Sequence, residues 1–313
     1  SRSTSPRCAT AFIASAVNND NAITAISTLS LLAMLRLIRS PGFWRPVIAL
    51  AVLVPLGALA KLSGLLLVPF AIGCVALAAY RRGSLRLLVA GGGLVGGAWL
   101  AVAGWWYVRN LVLYGEFFGT TRMLEILGGR MPPLGILEVL QVSLEEWEGL
   151  RWSFWGVFGW FNVIPGGWFY LMFDVFSAIA VAGLLLSLLQ VGRSQFQIDR
   201  SVLVLLGAWP AAEFVAYLRY NQIAMASQGR LLYPAISAIS VLLVLGLVSY
   251  RPWFPRRLAK VAPATLGFVL LAVAVYVPFG VLVPAYAKPS LLSERDVPAN
   301  LKPLGINFGG QME

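Results

Sequence analysis

The chain of 313 residues has no histidine, two cysteines and only 13 acidic residues; charged side chains make up 12% of it. Without histidine, any mechanism that needs an imidazole base, or a metal held by imidazole, is closed to these residues. Cys8 and Cys74 are far apart and Cys74 lies inside an apolar run, so there is neither a disulfide framework nor zinc-finger spacing. A soluble domain carries about 25% charged residues, and half that share excludes an ordinary water-soluble fold. No strand-linked GxGxxG, no P-loop and no low-complexity tract occurs.

What is present is apolar sequence: 59% of the residues are hydrophobic. A helix needs about 20 apolar residues to cross a bilayer, within a range of about 17–25. Eight such spans can be read, at 21–38, 45–60, 62–80, 87–107, 167–190, 201–219, 232–250 and 262–285. The expectation is an all-α polytopic membrane protein, with a transmembrane domain over 1–285 and a short tail over 286–313. The second and third spans are separated by Lys61, which is costly at mid-membrane; a hairpin with Lys61 at a surface, its turn eased by Gly64, removes that cost. Ser1 is not a start residue, so part of the natural N-terminus is expected to be missing.

The net charge of +11 would suggest nucleic acid in a soluble protein. Here four short connections (Arg36–Arg45, Arg81–Arg86, Arg193–Arg200 and Arg251–Lys260) hold twelve Lys and Arg against one acid, Asp199. They alternate correctly with eight spans. By the positive-inside rule they are cytoplasmic, which excludes a nucleic-acid partner and predicts an inner-membrane protein with its other face outward. That outer face receives Asp20, Lys61, the segment Arg219–Arg230, the tail, and a long connection at 108–166.

Seven of the eleven tryptophans fall between Trp105 and Trp168, together with Glu116, Glu125, Glu138, Glu145, Glu146 and Glu148. Connections beyond about 12–15 residues are usually functional or disordered, and this one is too aromatic for a disordered linker. Met123–Leu127 and Gly135–Leu150 have helical apolar spacing. Leu137, Leu140, Val142, Leu144 and Trp147 predict a stripe laid on the bilayer, started by Pro132-Pro133. The glycines at 91–93 and 96–97 fall inside a span and predict close helix packing.

Several polar positions carry two readings each. Asn18-Asn19-Asp20 is either a helix cap or an acidic contact to a sugar or metal. Lys61 either snorkels or pairs with a phosphate. Arg109, beside Trp105-Trp106-Tyr107, is either interfacial or a planar fork for a lipid phosphate. Arg230, in Gln228-Gly229-Arg230, is an outer-loop cation or a phosphate clamp. Asp174 and Glu213 lie in or near apolar spans, where ionisable groups are suspected of function by default; Pro210 can open the backbone near Glu213.

Five stretches together resemble the GT-C superfamily of membrane glycosyltransferases, of the protein O-mannosyltransferase and aminoarabinose transferase type, and a related set of bacterial membrane proteins. They are Asn18-Asn19-Asp20, Ala60-Lys61-Leu62-Ser63, the run from Gly104 to Gly115 (GWWYVRNLVLYG), the run from Ser153 to Trp160 (SFWGVFGW), and Gln228-Gly229-Arg230-Leu231-Leu232-Tyr233-Pro234. The resemblance spans roughly residues 10–250. It implies a polyprenyl-phosphate-sugar donor and sugar transfer at the outer membrane face. It places the main catalytic carboxylate upstream of Ser1, after one or two further spans, and makes Asp20 the match to a second acidic position. Lys61, Arg109 and Arg230 become donor-phosphate contacts, and the resemblance leaves room for a divalent metal. The alternatives are a transporter or flippase, a ligase- or polymerase-type enzyme of polyprenyl glycans, and a non-catalytic membrane scaffold.

Overall fold

A computed structural model describes residues 19–130, 132–159, 162–189, 199–225, 227–253 and 255–287. Asn18, Cys8, Trp160, Arg193 and the tail from 288 onward lie outside these residues. Of the described residues 83% are helical, and they contain no strand, only an isolated bridge between Phe158 and Val163. The architecture is therefore all-α and polytopic.

The helices are α1 (Asn19–Arg39), α2 (Trp44–Ala60), α3 (Leu62–Arg81), α4 (Leu85–Tyr114), α5 (Thr120–Leu127), α6 (Ile136–Glu145), α7 (Trp147–Trp155), α8 (Gly167–Leu189), α9 (Arg200–Asn221), α10 (Gly229–Trp253) and α11 (Arg256–Tyr276, prolonged by a π turn at Val277–Leu282). Each of the eight expected spans falls on one of them, and seven are long and apolar enough to cross a membrane. The exception is α2, with 17 residues. At 1.5 Å per residue it is about 26 Å long, just short of a hydrocarbon core of about 30 Å. It stops because Lys61 leaves the helix in an extended conformation, φ −158° and ψ 149°.

Helix ends follow their local chemistry. α1 carries Asp20 in its first turn and Arg36 and Arg39 in its last, both favourable against the helix dipole. Ser84 caps α4 by accepting from Leu87 N, and Asp199 caps α9 by accepting from Ser201 N at 2.9 Å. The Glu138 carboxylate reaches back to Gly135 N at 2.7 Å at the start of α6.

The core lies where α1, α2, α3 and α9 meet, with Ile23, Met34, Leu50, Val54, Val75 and Trp209 wholly enclosed. Large apolar side chains on the outer surfaces of the spans stay exposed, such as Val52, Val89, Leu171 and Val204. A soluble monomer rarely exposes so much contiguous apolar area; the bilayer is the solvent that suits it. At one end of the bundle, Arg82 donates to the carbonyls of Ser40 and Pro41 and Arg81 pairs with Asp199 at 2.8 Å. The opposite end carries Asp20, Lys61 and the aromatic connection.

One glycine expectation is extended and another changes. Gly64 lies in the 3-10 turn Leu62–Leu66, where its N–H donates to the Lys61 carbonyl at 2.9 Å; a methyl group there would overlap the carbonyl of Gly57, so it also lets the chain return directly against α2. Of the glycines at 91–93 and 96–97, only Gly91 packs closely, against Phe43 and Val75; an added Cβ on the other four would meet nothing within 4 Å. A tight glycine crossing lies elsewhere, between α8 and α10, where Gly183 and Gly246 bring the backbones of Ala180 and Gly246 together.

Candidate functional site at the aromatic end of the bundle

Asp20 sits at the mouth of α1 and is 8% exposed. Lys61, at the end of α2, places Nζ 2.6 Å from Asp20 Oδ1. Arg230, in the first turn of α10, places Nε 3.8 Å from Asp20 Oδ2 and donates to Gln228 Oε1 at 2.6 Å. Three residues from three separate helices thus converge on one point. The group carries one more positive than negative charge, and Arg230 is its open member, with a side chain 49% exposed. Lysine supplies a compact charge and arginine a planar fork, the two ways a protein holds a phosphate.

The loop builds one wall of this site. Helix α7 lies on the 3-10 turn Gly229–Ala235 that opens α10. Gly229 N donates to Ser153 Oγ at 2.7 Å, and Tyr233 Oη donates to the Phe154 carbonyl at 3.2 Å. A side chain at Gly229 would overlap the Phe154 backbone, so glycine is needed there for close approach. Behind α7, Trp155 stacks on Phe173 at 4.4 Å and Trp152 on Tyr170 at 5.4 Å. Arg151 pairs with Asp174 at 3.4 Å. That contact, together with partial exposure, gives Asp174 a structural partner outside the Asp20 group.

A second tie joins loop and bundle. Arg130 pairs with Glu146 at 3.3 Å and donates to the Ala224 carbonyl; Ser227 Oγ also donates to Glu146. Spacing could not find these partners, which lie 81 and 94 residues apart in the two longer contacts. On α6, Leu137, Leu140 and Leu144 are exposed, as is Trp147 just beyond. Val142 is partly covered instead, on the flank where Val139 is buried against the protein.

Arg109 stands apart. Its guanidinium lies over the Trp106 ring at 5.2 Å, and among the described residues it forms no ion pair with Asp20. Its stretch does reach the site through Tyr107, whose hydroxyl donates to the Ala58 carbonyl at 2.9 Å, three residues before Lys61. Tyr107 also stacks on Trp99. Beside them is an apolar cavity of about 600 Å³ lined by Leu65, Trp99, Leu100, Tyr107, Val108 and Phe118, among others. Its wall includes a π turn at Leu100–Gly104, a feature often found at functional sites. Among the described residues the buried Trp99 indole N–H has no hydrogen-bond partner.

Glu213 is buried in α9, at 1% exposure. Among the described residues, no group of three or more His, Cys, Asp or Glu side chains could hold a metal ion. The Asp20 group, with two cations around one carboxylate, is the wrong donor set for one. No protein-family model matches the chain, and neither does any curated protein or solved structure.

Proposed function

We propose that the chain belongs to a GT-C-type glycosyltransferase that moves a sugar from a polyprenyl-phosphate donor to an acceptor at the outer face of the cytoplasmic membrane. The observation that carries this reading is the convergence of Lys61 and Arg230 on Asp20 at the end of the bundle that bears the aromatic loop. In this reading Arg230 and Lys61 face the departing lipid phosphate and stabilise the charge that develops on it; fixed cations in a poorly hydrated site do this at little reorganisation cost. Asp20 holds the two cations in register. Arg109 would meet the lipid phosphate from the Trp106 side. The apolar cavity by Trp99 and Tyr107 suits the polyprenyl chain, and the loop aromatics frame the sugar.

A transporter is the second reading, and Glu213 favours it, because buried ionisable groups in spans often mark transport paths. The test is reconstitution of the protein, expressed from its complete reading frame, into liposomes with labelled polyprenyl-phosphate sugars. The proposed activity gives label in an acceptor with release of polyprenyl phosphate. Movement of intact lipid between leaflets, without transfer, would replace it with the second reading.

A further inference from the structure

Helices α1 and α2 are joined through residues 40–43, at the end of the bundle where Arg81 pairs with Asp199. Between them runs an open groove of about 790 Å³. Leu29 and Leu32 of α1 and Leu53 of α2 line its deeper part, and Arg36 and Arg45 stand at its mouth. The spacing accounts for this layout. Leu29, Leu32 and Arg36 fall at i, i+3 and i+7 on one face of α1; Arg45, Ala49 and Leu53 fall at i, i+4 and i+8 on one face of α2. At 1.5 Å per residue, each helix sets a leucine about 10–12 Å deeper than its arginine. That depth stays within one leaflet of a hydrocarbon core of about 30 Å.

The fold itself makes no use of these two cations. Among the described residues, neither the Arg36 nor the Arg45 guanidinium has an ion pair, a hydrogen bond or a ring contact, and no acidic side chain lines the groove. Their neighbours are engaged: Arg81 with Asp199 and Ser201, Arg82 with the carbonyls of Ser40 and Pro41 and with the Phe43 ring. Trp44, beside Arg45, is exposed and meets Phe43 edge-on; indole rings favour the headgroup level of a bilayer. Basic pockets between membrane helices at that level hold anionic head groups. A neutral lipid would leave both guanidinia unanswered, and a free anion would leave the leucines unfilled.

We propose that this groove holds one anionic phospholipid, its phosphodiester between Arg36 and Arg45 and an acyl chain along Leu29, Leu32 and Leu53. The two helices it bridges carry Asp20 and Lys61 at their other ends. The lipid site is thus remote from the Asp20 group and independent of sugar transfer.

The test is native mass spectrometry of the whole protein, stripped of lipid in mild detergent and titrated with dioleoyl phosphatidylglycerol, dioleoyl phosphatidylcholine or glycerol phosphate. One phosphatidylglycerol should bind about tenfold more tightly than phosphatidylcholine, and glycerol phosphate should not be retained. Arg36→Gln with Arg45→Gln should weaken phosphatidylglycerol about tenfold or more. The same change of charge at Arg39 and Arg86, exposed residues that do not line the groove, should leave binding within about twofold. Ala49→Phe keeps both arginines but fills the groove, and should weaken binding about threefold or more. Equal losses in the two double variants would reduce the effect to surface charge and overturn the proposal. So would equal affinity for phosphatidylcholine, glycerol phosphate held as tightly as the lipid, or unchanged binding in Ala49→Phe. If the Arg36→Gln, Arg45→Gln protein does not fold, each single variant must weaken phosphatidylglycerol about threefold; unchanged binding in either would overturn the proposal.

Discussion

Gly229 and Ser153 are 76 residues apart, yet the backbone N–H of one donates to the hydroxyl of the other at 2.7 Å, in a buried setting. Ser153→Ala removes the acceptor and leaves that donor unsatisfied, a loss of about 1–3 kcal/mol. The expected readout is a lower thermal midpoint together with faster amide exchange at Gly229 and Arg230. Unchanged exchange would show that the contact does not hold the turn.

The open cation is Arg230. Arg230→Ala should raise the KM for a polyprenyl-phosphate donor about tenfold or more, the value of a hydrogen bond to a charged group, with the fold intact. Arg230→Lys should recover only part of the loss, since a point charge cannot reproduce the fork. Equal kinetics for all three proteins would remove Arg230 from the donor site.

Lys61→Ala removes the counter-ion that lies 2.6 Å from Asp20. Their side chains are 16% and 11% exposed, so the pair is partly screened and the expected loss is about 2 kcal/mol, below that for a fully buried pair. Chemical denaturation in mild detergent would measure it; a loss under about 0.5 kcal/mol would place the pair among surface bridges.

Packing at glycine gives a sharper expectation. Gly64→Ala and Gly246→Ala each force a methyl group into backbone, at Gly57 and at Ala180. Each should destabilise by about 1–3 kcal/mol or more, whereas Gly97→Ala, which meets nothing within 4 Å, should be neutral or slightly stabilising through helix propensity. Thermal scans of the three variants side by side decide this.

The far end of the bundle has its own pH dependence. The Arg81 guanidinium, followed by the Ser201 N–H, holds the Asp199 carboxyl down from 3.8 to about 2. A carboxyl depressed by folding stabilises the fold above its unfolded value. That contribution is present above about pH 4 and is lost as the pH falls through about 2. Asp199→Asn should flatten the midpoint-against-pH curve in this window, and an unaltered curve would deny the linkage.

Spans were legible because each apolar run is long, and because Lys61 marks a point that the membrane excludes. The hairpin around Lys61 followed from cost alone, and Gly64 does lie in its turn; that Gly64 also admits the Gly57 carbonyl did not follow, because a sequence does not show what a glycine's missing side chain would meet. The same limit explains why the glycines at 92–93 and 96–97 looked like a packing face while Gly183 and Gly246 did not. At the site, Asp20, Lys61 and Arg230 could each be picked out as an ion at a helix end. Their meeting could not, because residues 41 positions apart or further join only through tertiary packing. Arg109 shows the converse: the ring its guanidinium lies over, Trp106, is only three positions away, within reach of sequence spacing.

Tying α7 to the first turn of α10 couples two parts that sequence keeps far apart. Arg230 rides on the same turn as Gly229, which is clamped to Ser153. A displacement of the tryptophan-rich segment would therefore reach the backbone that carries Arg230 through one peptide unit, like a lever with a very short arm.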